Sequence, residues 1–360
     1  MKEDEELKIL VVDDSAVNRR SISNMLADVP HHRVVGKAAN GEEALRLVHV
    51  TEPDVITLDL EMPKMDGFTF LRILMAKNPL PVLVISSYSQ QENVFKALEL
   101  GALDFVAKPD LLLPGDNSIR EELLKKLAVV RGVDHLNSPH PAFSHSTPPS
   151  LYPRSDERTP SKIVVIGAST GGPSALMDIL SRIPERSELA ILIAQHMPEK
   201  FTRTFAERLD RRSKLRVREA EHDELICAGE VLLCPGMRCL EVVRAGERLR
   251  TRVVHPSSKD RYFPSADRLF ASAAQACPRS TIGVILTGMA DDGTAGALAL
   301  REAGGYIIGE SEESAVVYGM PRAAHEAGAV HRQMKVADIA DDLMSLEKLS
   351  LSKVNGRALE

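Results

Sequence analysis

Apolar residues in this chain fall into short, nearly unbroken runs, separated by stretches where they recur at every third or fourth position. Runs at 7–12, 33–37, 54–58, 82–85 and 103–106 read as strands, and 41–50 and 91–100 as helices between them. The alternation resumes at 163–166, 189–194, 281–286 and 306–308. A strand that is apolar at every position is buried on both faces, and the intervening helices supply the covering layers. The pattern alone predicts an α/β chain with two parallel sheets. In such sheets chemistry collects at the strand ends.

Between the two alternating halves, residues 137–160 hold six prolines and several serines, which reads as a linker. It could span roughly 25–30 Å as coil, or up to about 75 Å as polyproline. The expected division is therefore 1–130, a linker over 131–161, and 162–350, as suits a chain of 360 residues. With 44% hydrophobic and 27% charged residues, the composition is that of an ordinary globular protein. A net charge of −6 argues against bulk nucleic-acid binding. The opening Met1-Lys2-Glu3-Asp4-Glu5-Glu6 is acidic where a signal peptide is basic, and no long apolar run follows, so a cytoplasmic location with no membrane insertion is expected. Cys227, Cys234, Cys239 and Cys277 show no C-x-x-C pair and read as buried thiols.

Four strand ends of the first half carry polar chemistry: Asp13-Asp14, Asp59, Ser86 and Lys108-Pro109. Carboxylates crowded into one corner repel, and a hard divalent cation such as Mg²⁺ offsets that repulsion. Lys108 adds a point charge suited to a phosphoryl group. A last helix is expected from Ser118, where S-I-R-E has capping-box spacing. With D-L-E-M-P-K-M-D-G at 59–67, this set resembles the signature of response-regulator receiver domains over about residues 7–130. The resemblance implies a flavodoxin-like, five-stranded parallel sheet in which Asp59 accepts a phosphoryl group from a histidine kinase. It further implies that Asp14, Asp59 and the Glu61 carbonyl hold Mg²⁺ with Asp13 close by, and that Ser86 and Lys108 contact the phosphoryl oxygens. Phe105 stands where receivers keep a switch aromatic, here without a hydroxyl.

In the second half, I-V-V-I-G-A-S-T-G-G-P (163–173) reads as a buried strand, a turn at Gly167 and a helix opened by Pro173. Its G-x-S-x-G spacing presents the Ser169 hydroxyl beside helix N–H groups. Ser169 is then a nucleophile or part of a phosphate-cradling turn. A nucleophilic alcohol needs a base. His196, in Q-H-M-P, also ends an apolar run; His255, His325 and His331 compete, and His325 suits a lipase-like Ser…Asp…His order. The third strand end, L-T-G-M-A-D-D-G (286–293), offers open backbone N–H groups beside a carboxylate. Ser169 occupies the second glycine position of G-x-G-x-x-G, where a pyrophosphate needs close backbone approach, which favours hydrolysis. A DNA-binding output would be short, helical and basic, and this half is none of these.

Together, G-A-S-T-G-G-P, Q-H-M-P-E-K-F-T and L-T-G-M-A-D-D-G resemble the catalytic domain of the chemotaxis methylesterases, a family that joins a receiver to such a domain. That resemblance implies a doubly wound, Rossmann-like, mostly parallel second sheet. It implies hydrolysis of glutamate γ-methyl esters, and deamidation of glutamines, on cytoplasmic helices of chemoreceptors, with no cofactor for the ester reaction. By position, Ser169 is the nucleophile, His196 the general base and then acid, and Asp292 the orienting carboxylate. Thr170 supports the histidine, and the Met289 N–H serves the oxyanion. Asp291 is the competing carboxylate. Ala290 stands where members usually carry glycine, which matters if φ is positive there, and 257–263 departs from a commonly more basic stretch. Residues 200–218 carry eight Lys/Arg against two acidic residues, read as a solvated helix face or a receptor-docking surface.

Overall fold

A computed structural model describes residues 6–108, 118–131, 158–258 and 260–349, which divide into two compact units, Met1–Ser144 and His145–Glu360. The expected linker at 131–161 lies almost wholly outside the described residues, as does Pro109.

In the first unit, β1 (Leu7–Val12), β2 (His32–Ala38), β3 (Val55–Leu58), β4 (Val82–Ser87) and β5 (Asp104–Lys108) form one parallel sheet in the order β2-β1-β3-β4-β5. Helices α1 (Ala16–Ala27), α2 (Gly41–Thr51), α3 (Gly67–Lys77), α4 (Gln91–Glu99) and α5 (Ser118–Arg131) alternate with them. Three of these helices start on a side-chain cap: Ser15 accepts from Asn18 N, Asn40 from Glu43 N, and Asp66 from Thr69 N. The order reverses between β1 and β3, the switch point where α/β sheets open a crevice.

In the second unit, β6 (Lys162–Ala168), α6 (Gly172–Arg182), β7 (Leu189–Gln195), α7 (Glu199–Arg212), β8 (Arg216–Glu219) and β9 (Glu230–Leu233) come first. A hairpin of β10 (Cys239–Ala245) and β11 (Arg248–Val254) follows, then α8 (Ala266–Ala276), β12 (Thr281–Ile285), α9 (Thr294–Glu302) and β13 (Tyr306–Glu310). The last elements are α10 (Met320–Glu326), β14 (Arg332–Met334) and α11 (Val336–Glu347). Seven strands, all paired in parallel, lie in the order β14-β13-β12-β6-β7-β9-β8. β6, buried at six of its seven positions, is the central strand; β12, β13 and β14 follow outward on one side, while on the other β9 lies between β7 and the edge strand β8. All four cysteines are buried and free. No helix among the described residues is long and apolar enough to cross a membrane.

Two expectations need correction. Gly167 is not a turn: it is a strand residue of β6, paired with Ala194 and Ile285, and a Cβ there would meet that of Ala266 at 2.6 Å. Close packing of α8, rather than a bend, requires glycine at this position; the turn falls at Gly171, whose φ is +80°. The basic stretch 200–218 is not one helix face. Arg216 and Arg218 lie on β8, where both pair with buried Glu230 at 3.3 and 3.4 Å.

Candidate active site and phosphoacceptor site

At the β1/β3 switch point Asp13, Asp14 and Asp59 each place a carboxylate oxygen within 4.8 Å of the others, with Asp13 and Asp59 buried and Asp14 exposed. Lys108 Nζ lies 2.9 Å from Asp59 Oδ2 and 3.6 Å from Asp13 Oδ2. Burial pushes the Asp13 carboxyl up; Lys108 opposes this, and the Asp59 charge adds to it. Burial alone would lower Lys108, but Asp59 and Asp13 more than offset it and hold its pKa above the ordinary value. A compact all-oxygen set around one crowded corner suits a hard divalent cation. The Glu61 N–H donates to Asp59 Oδ1 at 3.3 Å, while its own carboxylate accepts from Asn93 and stands outside the cluster. Ser86 is fully buried and its hydroxyl donates to Gln90 Oε1 at 2.9 Å. Phe105 is buried edge-to-face against Phe95, with the Lys126 ammonium 4.8 Å from its ring centroid.

In the second unit Ser169 and His196 immediately follow the paired residues Ala168 and Gln195 on adjacent strands, and His196 N donates to Ala168 O at 3.0 Å. His196 Nε2 lies 2.7 Å from Asp292 Oδ2. Nε2 is therefore committed to the carboxylate, and Nδ1 is the ring nitrogen left for proton exchange. Asp292 is 1% exposed. It sits on the N-terminus of α8, accepting from Ala266 N at 2.8 Å and Asp267 N at 3.0 Å. Burial by itself would raise this carboxyl, but the bonds from His196, Asp267 and Ala266 overcome it and hold the pKa below the usual range. Asp291, by contrast, is exposed and bonds Tyr262 and Arg261 instead.

Thr287 ties the strand ends together. Its carbonyl accepts from Ser169 N at 3.0 Å, its hydroxyl donates to Thr170 O at 2.9 Å, and its N–H donates to Glu310 Oε2 at 2.8 Å. The next carbonyl, that of Gly288, accepts from Met320 N and Gly319 N. This leaves the Met289 N–H with no acceptor among the described residues, on a loop where Met289 is exposed. Ala290 follows at φ +70°, the left-handed region that the sequence flagged. Of the competing histidines, His331 Nδ1 accepts from Ile307 N and burial pushes its pKa down to about 4, while His325 is exposed on α10.

Several residues of this site escaped the sequence reading. Gln195 Nε2 donates to both Ser169 O (2.9 Å) and His196 O (3.1 Å), bridging the two strand ends. Tyr262 stacks on the His196 ring. Glu310 closes β13 with a buried carboxylate, a signal that strand-end reasoning could have found.

Fold and side chains together define a chain that couples a receiver-type acidic corner to an α/β unit carrying a serine in register with a His–Asp pair. Comparison with known proteins narrows this. The description "CheB methylesterase" matches residues 164–343, and "Response regulator receiver domain" matches 9–112. Protein-glutamate methylesterase/protein-glutamine glutaminase 1 of Myxococcus xanthus is 45% identical over 95% of this chain and 97% of its own length. Number 6 of Anaeromyxobacter dehalogenans is 48% identical over 90% of this chain and 91% of its own. The crystal structure of the Thermotoga maritima CheB methylesterase catalytic domain is 37% identical with a TM-score of 0.50, covering 51% of this chain and 98% of that one. The chain belongs to the CheB methylesterase family.

Proposed function

We propose that this protein hydrolyses glutamate γ-methyl esters, and deamidates glutamines, on chemoreceptors, and that phosphorylation of Asp59 controls the rate. The observation that carries the reading is the His196–Asp292 pair at 2.7 Å, set one strand away from Ser169 in register. Ser169 Oγ attacks the γ-carbonyl carbon while its proton passes to His196 Nδ1. Asp292, kept anionic by the α8 N-terminus, balances the imidazolium. The tetrahedral oxyanion is met by the Met289 N–H, and one such donor is worth about 2.7–4 kcal/mol of barrier. Collapse expels methanol, which takes its proton back from His196. Water then adds to the acyl-enzyme by the same base and releases glutamate. A glutamine side chain follows the same course with ammonia as the leaving group. Thr170, locked through its carbonyl to Thr287, keeps the turn after Ser169 in place.

In the receiver, Asp13, Asp14 and Asp59 with the Glu61 carbonyl would hold Mg²⁺, which neutralises charge on an incoming phosphoryl group. Lys108 sits ready to pair with a phosphoryl oxygen once Asp59 is modified. Ser86 contributes its hydroxyl after releasing Gln90. A histidine kinase is the phosphodonor this corner suits. Methanol release from methylated receptor membranes tests the esterase reading: Ser169→Ala should abolish it, and undiminished release would overturn the assignment.

A further inference from the structure

One hydrogen bond from Nε2 fixes one corner of the His196 imidazole but leaves the ring plane free to swing about it. A second contact bears on that plane. The Tyr262 ring lies against the imidazole with centroids 5.4 Å apart and planes inclined by only 12°. The phenol is anchored at its far end, donating to Asp291 Oδ1 at 3.1 Å. Asp291 in turn is paired with Arg261 at 3.4 Å, and the Arg261 guanidinium carbon lies 5.5 Å from the Tyr262 ring centroid. Burial raises the Tyr262 phenol and Asp291 raises it further, so it stays a neutral donor.

We propose that Tyr262 is a positioning residue that fixes the plane of the His196 imidazole, with Asp291 as its anchor; the proposal rests on the esterase reading above. The adjacent carboxylates thereby divide the work: Asp292 holds the edge of the imidazole, and Asp291 holds the ring that covers its face. Both supports reach the site through one stretch of chain, since Tyr262 lies three residues before the Ser265–Asp267 turn that grips Asp292. A stacked phenol also suits a base that alternates between neutral and cationic forms, because an aromatic face attracts the imidazolium without competing for its protons.

The test uses the full-length chain with methylated receptor membranes, together with NMR of ¹³C-labelled histidine, the His196 signal being assigned by its loss in His196→Gln. Tyr262→Leu should lower kcat about 30-fold with KM changed less than about twofold, while Tyr262→Phe, which keeps the ring, should lose about threefold. Asp291→Ala should match Tyr262→Phe, and the double variant should be no worse than either single one. The His196 Cε1–H signal should carry an upfield ring-current shift in wild type and Tyr262→Phe, and lose it in Tyr262→Leu. Wild-type kcat in Tyr262→Leu, equal losses in the Leu and Phe variants, or additive losses in the double variant would each overturn the proposal. If wild type and Ser169→Ala release methanol alike, the esterase reading fails instead. The histidine signal then judges the stack alone: no difference between wild type and Tyr262→Leu overturns it, and the expected difference upholds it.

Discussion

Glu310 holds a fully buried carboxylate under the loop that presents Met289. Burial pushes its pKa up to about 7, although the Thr287 N–H and Ser314 hydroxyl both favour the anion. The folded chain thus retains this proton at pH values where the unfolded chain has released it. The contribution to stability is full below the ordinary glutamate range and is lost as pH rises towards 7, amounting to about 3 kcal/mol at most. Urea unfolding compared at about pH 5 and about pH 8 should show this loss, and Glu310→Gln should remove it. A parallel loss in the variant would contradict the account. Ala290 is the second residue under tension, since φ +70° disfavours any side chain. Relief of strain and the added freedom of glycine in the unfolded chain nearly offset each other, so Ala290→Gly should change stability by less than about 1 kcal/mol. Ala290→Val should destabilise by more than about 1 kcal/mol, read in the same unfolding experiment. Of these tensions only Ala290 was legible beforehand, through its place in L-T-G-M-A-D-D-G. Tyr262 could not be read in advance, because its partner His196 is 66 positions away and nothing in a linear pattern links them.

Among the elements, the doubly buried strands were the legible part. β1, β6, β7 and β12 declare themselves as apolar runs, broken in β1 only by exposed Lys8, because both of their faces are covered over most of their length. β8 did not, since Arg216-Val217-Arg218-Glu219 at the sheet edge alternates in polarity and pairs its arginines with carboxylates. The hairpin β10–β11 lies outside the main sheet and is interrupted by Glu241 and Arg244 on one strand and by Arg248, Arg250, Thr251 and Arg252 on the other, so it lacked that signature too. Where two strand ends meet, Gln195 bridges Ser169 and His196, and space for it exists only because residue 172 has no side chain. A Cβ on Gly172 would stand 2.2 Å from Gln195 Oε1. Gly172→Ala should therefore displace the amide and lower kcat about tenfold or more, and Gln195→Met, which keeps the bulk but not the donors, should do the same. Steady-state hydrolysis of methylated receptor measures both, and wild-type kcat in either would count against the bridge.

For the molecule as a whole, the strand ends of two sheets carry two different constellations, an acidic corner in one and a serine beside a His–Asp pair in the other. The acidic corner makes the second dependent on the first in the proposed function. Asp59→Asn should abolish stimulation of methanol release by a small-molecule phosphodonor, and removal of Mg²⁺ by a chelator should abolish formation of the acid-stable, base-labile acyl phosphate. Stimulation that persists in Asp59→Asn would move the phosphoacceptor elsewhere. Resemblance supplied the two-domain plan readily because its motifs stand at strand ends, where residue type is dictated by chemistry rather than packing.

The Gly288 carbonyl has one further consequence. It is held by the N–H groups of Gly319 and Met320, which lie well beyond Asp292 in the chain. On the ribosome, Ser169, His196 and Asp292 all emerge before the residues that brace the loop carrying Met289. A chain that stops before them would thus hold the whole proposed triad while lacking the brace on the loop that, in the proposed mechanism, meets the oxyanion. In the proposed mechanism competence therefore waits for residues 319 and 320, so a chain that stops short of them should hydrolyse poorly although it holds all three reacting side chains.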